Sequence, residues 1–190
     1  MIYLPIALIG YFLLSIAILI DKAILDRDIP NPIVYTFYLG LLSFISLLLI
    51  PFGFSLPSGS ALIFGFLSGV YFTCAWVFYY KALRIDEASK LSPISGTLNP
   101  IFTILLGFLL LGQTTTQNQL YAFLVLVLGM IILNFNQLFG QKIRGVHLGL
   151  AVGAAFFFAA SAVFLKEAFL SSNFITGLVI SRVSVGISVL

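Results

Sequence analysis

Cysteine and histidine occur once each in this sequence, as Cys74 and His147, and charged residues make up only 8% of it. A lone cysteine excludes a disulfide framework and a thiolate metal cluster; within an apolar run it packs as a small hydrophobe. A lone imidazole without carboxylate or thiolate neighbours makes no metal site. His147 follows "GQKIRG" and reads as an interfacial residue at the start of a helix. No loop carries the glycine-lysine pattern that cradles phosphates, so no cofactor or nucleotide is implied, and no nucleic-acid partner either. An intramembrane enzyme would need a nucleophile, a base or a metal set, and this inventory supplies none.

Acidic side chains are also scarce where they would matter most. Asp21, Asp26, Asp28, Asp86, Glu87 and Glu167 are the six carboxylates, each expected at or just beyond a helix end. Proton-driven pumps commonly place a titrating Asp or Glu within a span, and here none is expected at mid-membrane depth. The charge well inside a run is Arg182, in "FITGLVISRVSVGISVL", about 12 Å along its helix. Arginine stays protonated, so it binds anions or pairs but relays no proton. Two readings stand: a substrate or helix contact in a polar interior, or a side chain that snorkels or pairs with backbone carbonyls.

What the sequence does have is hydrocarbon. Hydrophobic residues make up 61% and the mean hydropathy is +1.18, far from the roughly one-quarter charged surface of a soluble domain. A membrane helix needs about 20 mostly apolar residues. Such runs lie near 4–20, 33–50, 61–80, 91–111, 119–138 and 147–165, and another opens at Phe174. The first has no basic n-region and no small-x-small cleavage site, so it reads as a helix rather than a signal peptide. The connections are short and mix charge with Pro, Gly, Asn and Ser. Function therefore has to reside in the helix bundle of an all-α polytopic membrane protein.

The fourth run, "SPISGTLNPIFTILLGFLLLGQ" at 92–113, is not plain hydrocarbon. Ser92, Gly96, Asn99, Thr103 and Gly107 recur every three or four residues, which stacks them on one face. Pro100 has no N–H, so the Gly96 carbonyl loses its partner and a kink is expected; in lipid that carbonyl needs protein or water. Such a stripe suits a buried, wet cavity. It equally suits close packing, since Ser92-xxx-Gly96 and Thr103-xxx-Gly107 are small-xxx-small pairs. The third run carries a companion face of Gly65, Gly69, Thr73, Trp76 and Tyr80, opening with a GxxxG pair and closing in aromatics. Trp76, Tyr79 and Tyr80 fit either the lining of a binding pocket or an interfacial belt; the belt is the commoner reading for the two tyrosines near the helix end, while Trp76 lies deeper and fits either equally. The fifth run is the most uniformly apolar and meets lipid or a partner helix.

Sliding the sequence by 145 residues aligns "AILIDKAIL" at 17–25 with "AVFLKEAFL" at 162–170. A five-helix unit that begins again at the sixth helix has an odd helix count, which inverts successive units in the membrane, a transporter architecture. The stretch "YKALRIDEASKLSPISGTLNPIFTILLGFLLLGQTTTQNQLYAFLVLVLGMIILN" resembles the EamA-like branch of the drug/metabolite transporter superfamily, with its "YKAL" helix end, "NPIFT" mid-span and "LLLGQ" exit. Family members usually have Glu where Gln113 stands. "VISRVSVGISVL" resembles the start of the second repeat's second helix, where the family often has an arginine, so Arg182 carries over.

The resemblance implies ten helices in two five-helix halves: a first EamA-like repeat at 1–140 and an incomplete second one from 145 to 190. The sequence is then either truncated at its C-terminus or a natural short form that assembles as a homo-oligomer. The resemblance also implies a permease of small metabolites or drugs working by alternating access in the cell (cytoplasmic) membrane; a non-transporting scaffold is the alternative. Lys22, Arg27, Lys81, Arg84, Lys90, Lys142 and Arg144 fall in loops on one side against Lys166 on the other, which places the N-terminus outside. The family's ten-helix members usually keep both ends inside.

Overall fold

The computed structural model describes residues 3–85, 88–112, 116–133, 135 and 145–190. The described residues hold the helices α1 (Tyr3–Arg27), α2 (Pro32–Ser43), α3 (Gly59–Ile85), α4 (Ala88–Leu111), α5 (Gln117–Leu133), α6 (Gly145–Ser171) and α7 (Phe174–Ser188), and a 3-10 segment, Phe44–Phe52, that continues α2. Helices are the expected outcome where no water is at hand, because each satisfies its own backbone groups. Two starts are marked by asparagine. Asn31 Oδ1 accepts the Ile33 N–H at 3.0 Å, with Pro32 opening α2, and Asn173 Oδ1 accepts the Thr176 N–H at 2.7 Å at the head of α7, both serving as N-caps. Among the described residues five spans are long and apolar enough to cross a bilayer. The protein is an all-α multi-pass membrane protein.

The second run departs from a plain α-helix. α2 lasts 12 residues and then tightens into nine residues of 3-10 helix. Pro51 lies inside that segment and has no N–H for the carbonyl four residues back, and Gly53 ends it at φ 128°, a conformation glycine adopts freely. The 3-10 form rises about 2.0 Å per residue against 1.5 Å for α, so the shortfall in α-helix does not shorten the span. Its register is fixed against α7: the Phe44 ring seats on Gly186, and Val189 seats on Gly40, where any Cβ would collide.

α3 is the hub. It runs antiparallel to α6, with Phe78 against Gly153, Ser68 bonded to Ser161 at 3.3 Å and Phe64 stacked on Phe164 at 6.3 Å. It runs parallel to α7, with Gly65 against Ile180, Gly69 against Ser184 and Thr73 bonded to Ser188 at 2.6 Å. α4 lies against α6, Phe102 meeting Phe156 edge-on at 5.7 Å. The core gathers Leu25, Tyr80, Leu83, Leu91, Ile94 and Ala154 where α1, α3, α4 and α6 converge. Over most of its length α1 is exposed, and so is the larger part of α5, surfaces that suit the hydrocarbon around them.

Two ends of the bundle are tied by polar contacts. At one, the Lys22 ammonium donates to the Leu83 carbonyl at 2.7 Å and pairs with Asp26 at 3.0 Å. At the other, Ser58 donates to the Ser171 carbonyl at 3.1 Å, and Asn173 Nδ2 to the Gly53 carbonyl at 2.8 Å. The α2–α3 and α6–α7 connections therefore share a face.

Several placements differ from the sequence reading. His147 is fully buried rather than interfacial: it lies one helical turn before Ala151, on the face of α6 that enters the core. Tyr79 and Tyr80 are buried at 5% and 1% exposure, so they pack within the protein and form no belt. Asp21 does not end a helix, because α1 runs six residues beyond it.

Candidate substrate pathway

One row of α3 carries the candidate site. Phe72, Trp76 and Tyr80 are spaced four apart and so lie along one side of the helix. Trp76 stacks on Tyr80 with centroids 4.8 Å apart and meets Phe72 edge-on at 5.8 Å. Phe158 of α6 closes edge-on against both Phe72 (5.8 Å) and Trp76 (5.2 Å). Offset and T-shaped pairs of this kind add about 0.5–1.5 kcal/mol each beyond burial, so the row is a stiff aromatic surface.

Opposite charges stand at its two ends. At one, Arg182 of α7 places its guanidinium 4.5 Å from the Phe72 ring centroid. At the other, the Tyr80 phenol donates to Asp21 Oδ2 at 2.9 Å, and the Tyr35 phenol of α2 donates to Asp21 Oδ1 at 2.5 Å. Tyr35 and Tyr80 also meet edge-on at 4.8 Å. Both carboxylate oxygens are thus occupied from other helices, and Asp21 joins α1, α2 and α3.

Arg182 is the less satisfied end. Among the described residues no hydrogen bond reaches its guanidinium and no carboxylate lies within ion-pair distance; its contact is the Phe72 face. Phe72 is the middle residue of the 27-residue α3, so the cation stands at mid-length of that span. A cation–π contact contributes about 0.5–2 kcal/mol, while an arginine at mid-helix costs about 2.5–3.5 kcal/mol on insertion scales. The ring alone does not offset the placement.

The neighbouring row of α3, Gly65, Gly69 and Thr73, faces α7 instead. A Cβ on Gly69 would stand 2.5 Å from the Ser181 carbonyl oxygen, and one on Gly65 would stand 2.7 Å from Ile180 Cγ2. Thr73 is held between the Gly69 carbonyl (3.1 Å) and the Ser188 hydroxyl. Together with Ser68, which lies between Ser161 and Ser181, these residues form a polar seam between helices. The face read from sequence as one stripe is therefore two: 65–69–73 against α7, and 72–76–80 along the charged row. Thr73 also borders a cavity of about 370 Å³ with Thr36, Val77 and Ser188.

The polar residues of α4 are brought beside α5 and α6 rather than onto the aromatic row. The Thr103 hydroxyl donates to the Asn99 carbonyl at 2.8 Å and lies 3.2 Å from Asn99 Oδ1, a local loop that engages both polar groups. A Cβ on Gly96 would meet Met130 of α5 at 3.8 Å. Gly107 is buried, and Asn99, Pro100 and Thr103 are half-buried. Ser92 falls within α4, but its side chain lies outside the described residues, as do Asp86, Glu87, Gln113, Lys142 and Arg144. Among the described residues no group of His, Cys, Asp and Glu could hold a metal.

A larger groove, about 600 Å³, opens between the 3-10 segment, α3 and α7. Its lining is apolar apart from Ser184, whose hydroxyl is already given to the Phe66 carbonyl at 2.7 Å. It offers no group that would orient a polar solute, which separates it from the charged row.

Opposite charges, Asp21 and Arg182, flank one aromatic row inside a bundle of apolar spans, and the EamA-like transporter family matches residues 1–135, from α1 through α5. The protein belongs to this family. As an EamA-like transporter it is a membrane permease of the drug/metabolite type. No curated protein and no solved structure matches it. Of the residues that form the candidate site in this EamA-like transporter, sequence reasoning singled out Trp76 and Arg182, set Tyr80 on the face of Trp76, read Asp21 as a helix-end carboxylate, and missed Phe72, Phe158 and Tyr35. The four-residue spacing of Phe72, Trp76 and Tyr80 was a readable signal. The approach of Phe158 and Arg182 from other helices was not.

Proposed function

We propose that the protein moves small organic metabolites or drugs across the cytoplasmic membrane by alternating access, along a route walled by the Phe72–Trp76–Tyr80 row and Arg182. The supporting observation is the half-buried cation at the middle of α3, placed where α3 meets α6 and α7. Transporters built from inverted repeats hold their sites near the midplane at the repeat interface. A shift of 145 carries Tyr3–Arg27 onto 148–172 and Pro32–Ser43 onto 177–188, within three residues of α6 and α7. That overlap supports a first repeat at 1–140 and a second opening at 145, with α3 at the junction between them.

In this reading Asn99, Thr103 and the carbonyl freed by Pro100 form a second wall on α4, with Ser92 and Gly96 on the same stripe. Thr73, Gly65, Gly69 and Gly107 let helices approach. The charge count favours an outside N-terminus, and pairing of halves or of copies covers the outward helices. The test is reconstitution into liposomes preloaded with candidate solutes, followed by counterflow of labelled solute. Saturable exchange of at least one organic solute is expected. Failure of every solute in folded protein favours a non-transporting scaffold.

A further inference from the structure

The charged row also narrows what the substrate is. Resting on the transport reading above, we propose that Arg182 is the anchor for the carboxylate of an organic monoanion whose aromatic or apolar body lies along Phe72, Trp76 and Phe158.

A guanidinium presents five N–H donors in a planar fork that matches a carboxylate in two parallel bonds. Among the described residues none of these donors meets an acceptor, and the carboxylates of Asp21 and Asp26 are engaged elsewhere. The side chain is not walled in, since Arg182 and Trp76 are both only half-buried. A cation held open at the midplane is therefore placed to receive an anion that arrives from outside the protein.

Depth and charge choose among anions. Lipid headgroups lie about 15 Å from the midplane of a 30 Å hydrocarbon layer, too far to reach a guanidinium seated on the central residue of α3. A phosphate monoester carries about −1.5 to −2 charge at neutral pH. One guanidinium leaves part of that charge uncompensated in the bilayer interior. Along α3, the next described cations are Lys81 and Arg84, both exposed, about 14 and 18 Å beyond Phe72 at 1.5 Å per residue. A carboxylate is neutralised by Arg182 alone. The rings of Phe72, Trp76 and Phe158, set edge-on to one another at 5.8 and 5.2 Å, then supply an apolar corner beside it, where a phenyl or similar body finds both ring faces and ring edges.

Trp76 is the single tryptophan of the protein, so its emission reports this row directly. The protein in nanodiscs is titrated with 3-phenylpropanoate and with its uncharged amide, following Trp76 fluorescence, for wild type, Arg182→Gln and Arg182→Lys. The expected result is saturable binding of the acid at least tenfold tighter than the amide. Arg182→Gln removes that preference, and Arg182→Lys keeps the preference with several-fold weaker binding, because the fork becomes a point charge. Equal binding of acid and amide to the wild type, no saturable response to the acid, or a preference that survives Arg182→Gln overturns the proposal. Should Arg182→Gln fail to fold by gel filtration and circular dichroism, the wild-type comparison and Arg182→Lys still decide. Liposome counterflow separates the two levels: exchange of uncharged solutes without acid preference removes the anion site alone. Acid binding without exchange of any solute removes the transport reading and leaves the anion site.

Discussion

Tyr80 donates its phenol to Asp21 Oδ2 at 2.9 Å, tying the middle helix of the bundle to the C-terminal part of α1, while Tyr35 holds the other carboxylate oxygen. Removing the acceptor strands two phenols that have left water, whereas removing one phenol strands one oxygen of a half-buried carboxylate. Asp21→Leu is therefore expected to lower stability more than Tyr80→Phe, by about 2–4 against about 1 kcal/mol. Thermal unfolding in detergent measures the order. Equal melting temperatures for the two variants would show that the three-helix junction contributes little.

The α3–α7 seam makes a sharper steric prediction. A methyl on Gly69 meets a backbone carbonyl and Ser184, neither of which swings aside, so Gly69→Ala is expected to destabilise by about 1–3 kcal/mol, as overpacking does. Gly129→Ala is the control. Nothing lies within 4 Å of its added Cβ, and the gain in helix propensity is about 1 kcal/mol. The same thermal assay should move the two variants in opposite directions.

On α4, Asn99 accepts from Thr103 within its own helix, through both its carbonyl and Oδ1. Hydrogen bonds in membrane interiors contribute about 0.6–2 kcal/mol, so Asn99→Leu is expected to spare folding and to reduce transport more than stability. Pro100→Ala should alter the rate of switching more than affinity. Leu109→Ala, at a position 64% exposed, should be mild in both assays. An Asn99→Leu protein that transports normally but melts early would make the stripe packing alone.

Much of this architecture was legible in the sequence because lipid imposes simple rules. Apolar runs of span length became helices, and the GxxxG pair on α3 lies where α7 comes close. Local chemistry altered the rest. The second span passes into 3-10 helix over Phe44–Phe52, with Pro51 inside it and Gly53 ending it, a change that hydropathy does not register. Asp21 looked terminal because it starts the charged cluster "DKAILDRD", yet α1 runs on to Arg27. Its phenol partners come from two other helices, 14 and 59 residues away. The site was harder still: Arg182 and Trp76 could be named from their chemistry, but the ring beneath the arginine depends on how α7 lies along α3.

Orientation is open to a single-site test. Ser58 is exposed on the face shared by the α2–α3 and α6–α7 connections, opposite the basic loops. With Cys74→Ser as background, Ser58→Cys is expected to react with an impermeant thiol reagent only from the cytoplasmic side if the basic loops face outward, and from outside intact cells if they face inward. The charge count places the N-terminus outside and the basic loops inside, so labelling from outside is the expected result. Reaction only from the cytoplasmic side reverses the assignment of the N-terminus.

The central claim, that the Phe72–Trp76 row of α3 lines the route taken by the substrate, is tested most directly by thiol accessibility. In the same Cys74→Ser background, Phe72→Cys, Trp76→Cys and the outward-facing Val125→Cys, 68% exposed at the centre of α5, are treated with a small water-soluble thiol reagent in membranes. The account predicts labelling at 72 and 76, slowed by a transported solute, and little at 125, where lipid excludes the reagent. Labelling at 125 with none at 72 and 76, in folded protein, would contradict it.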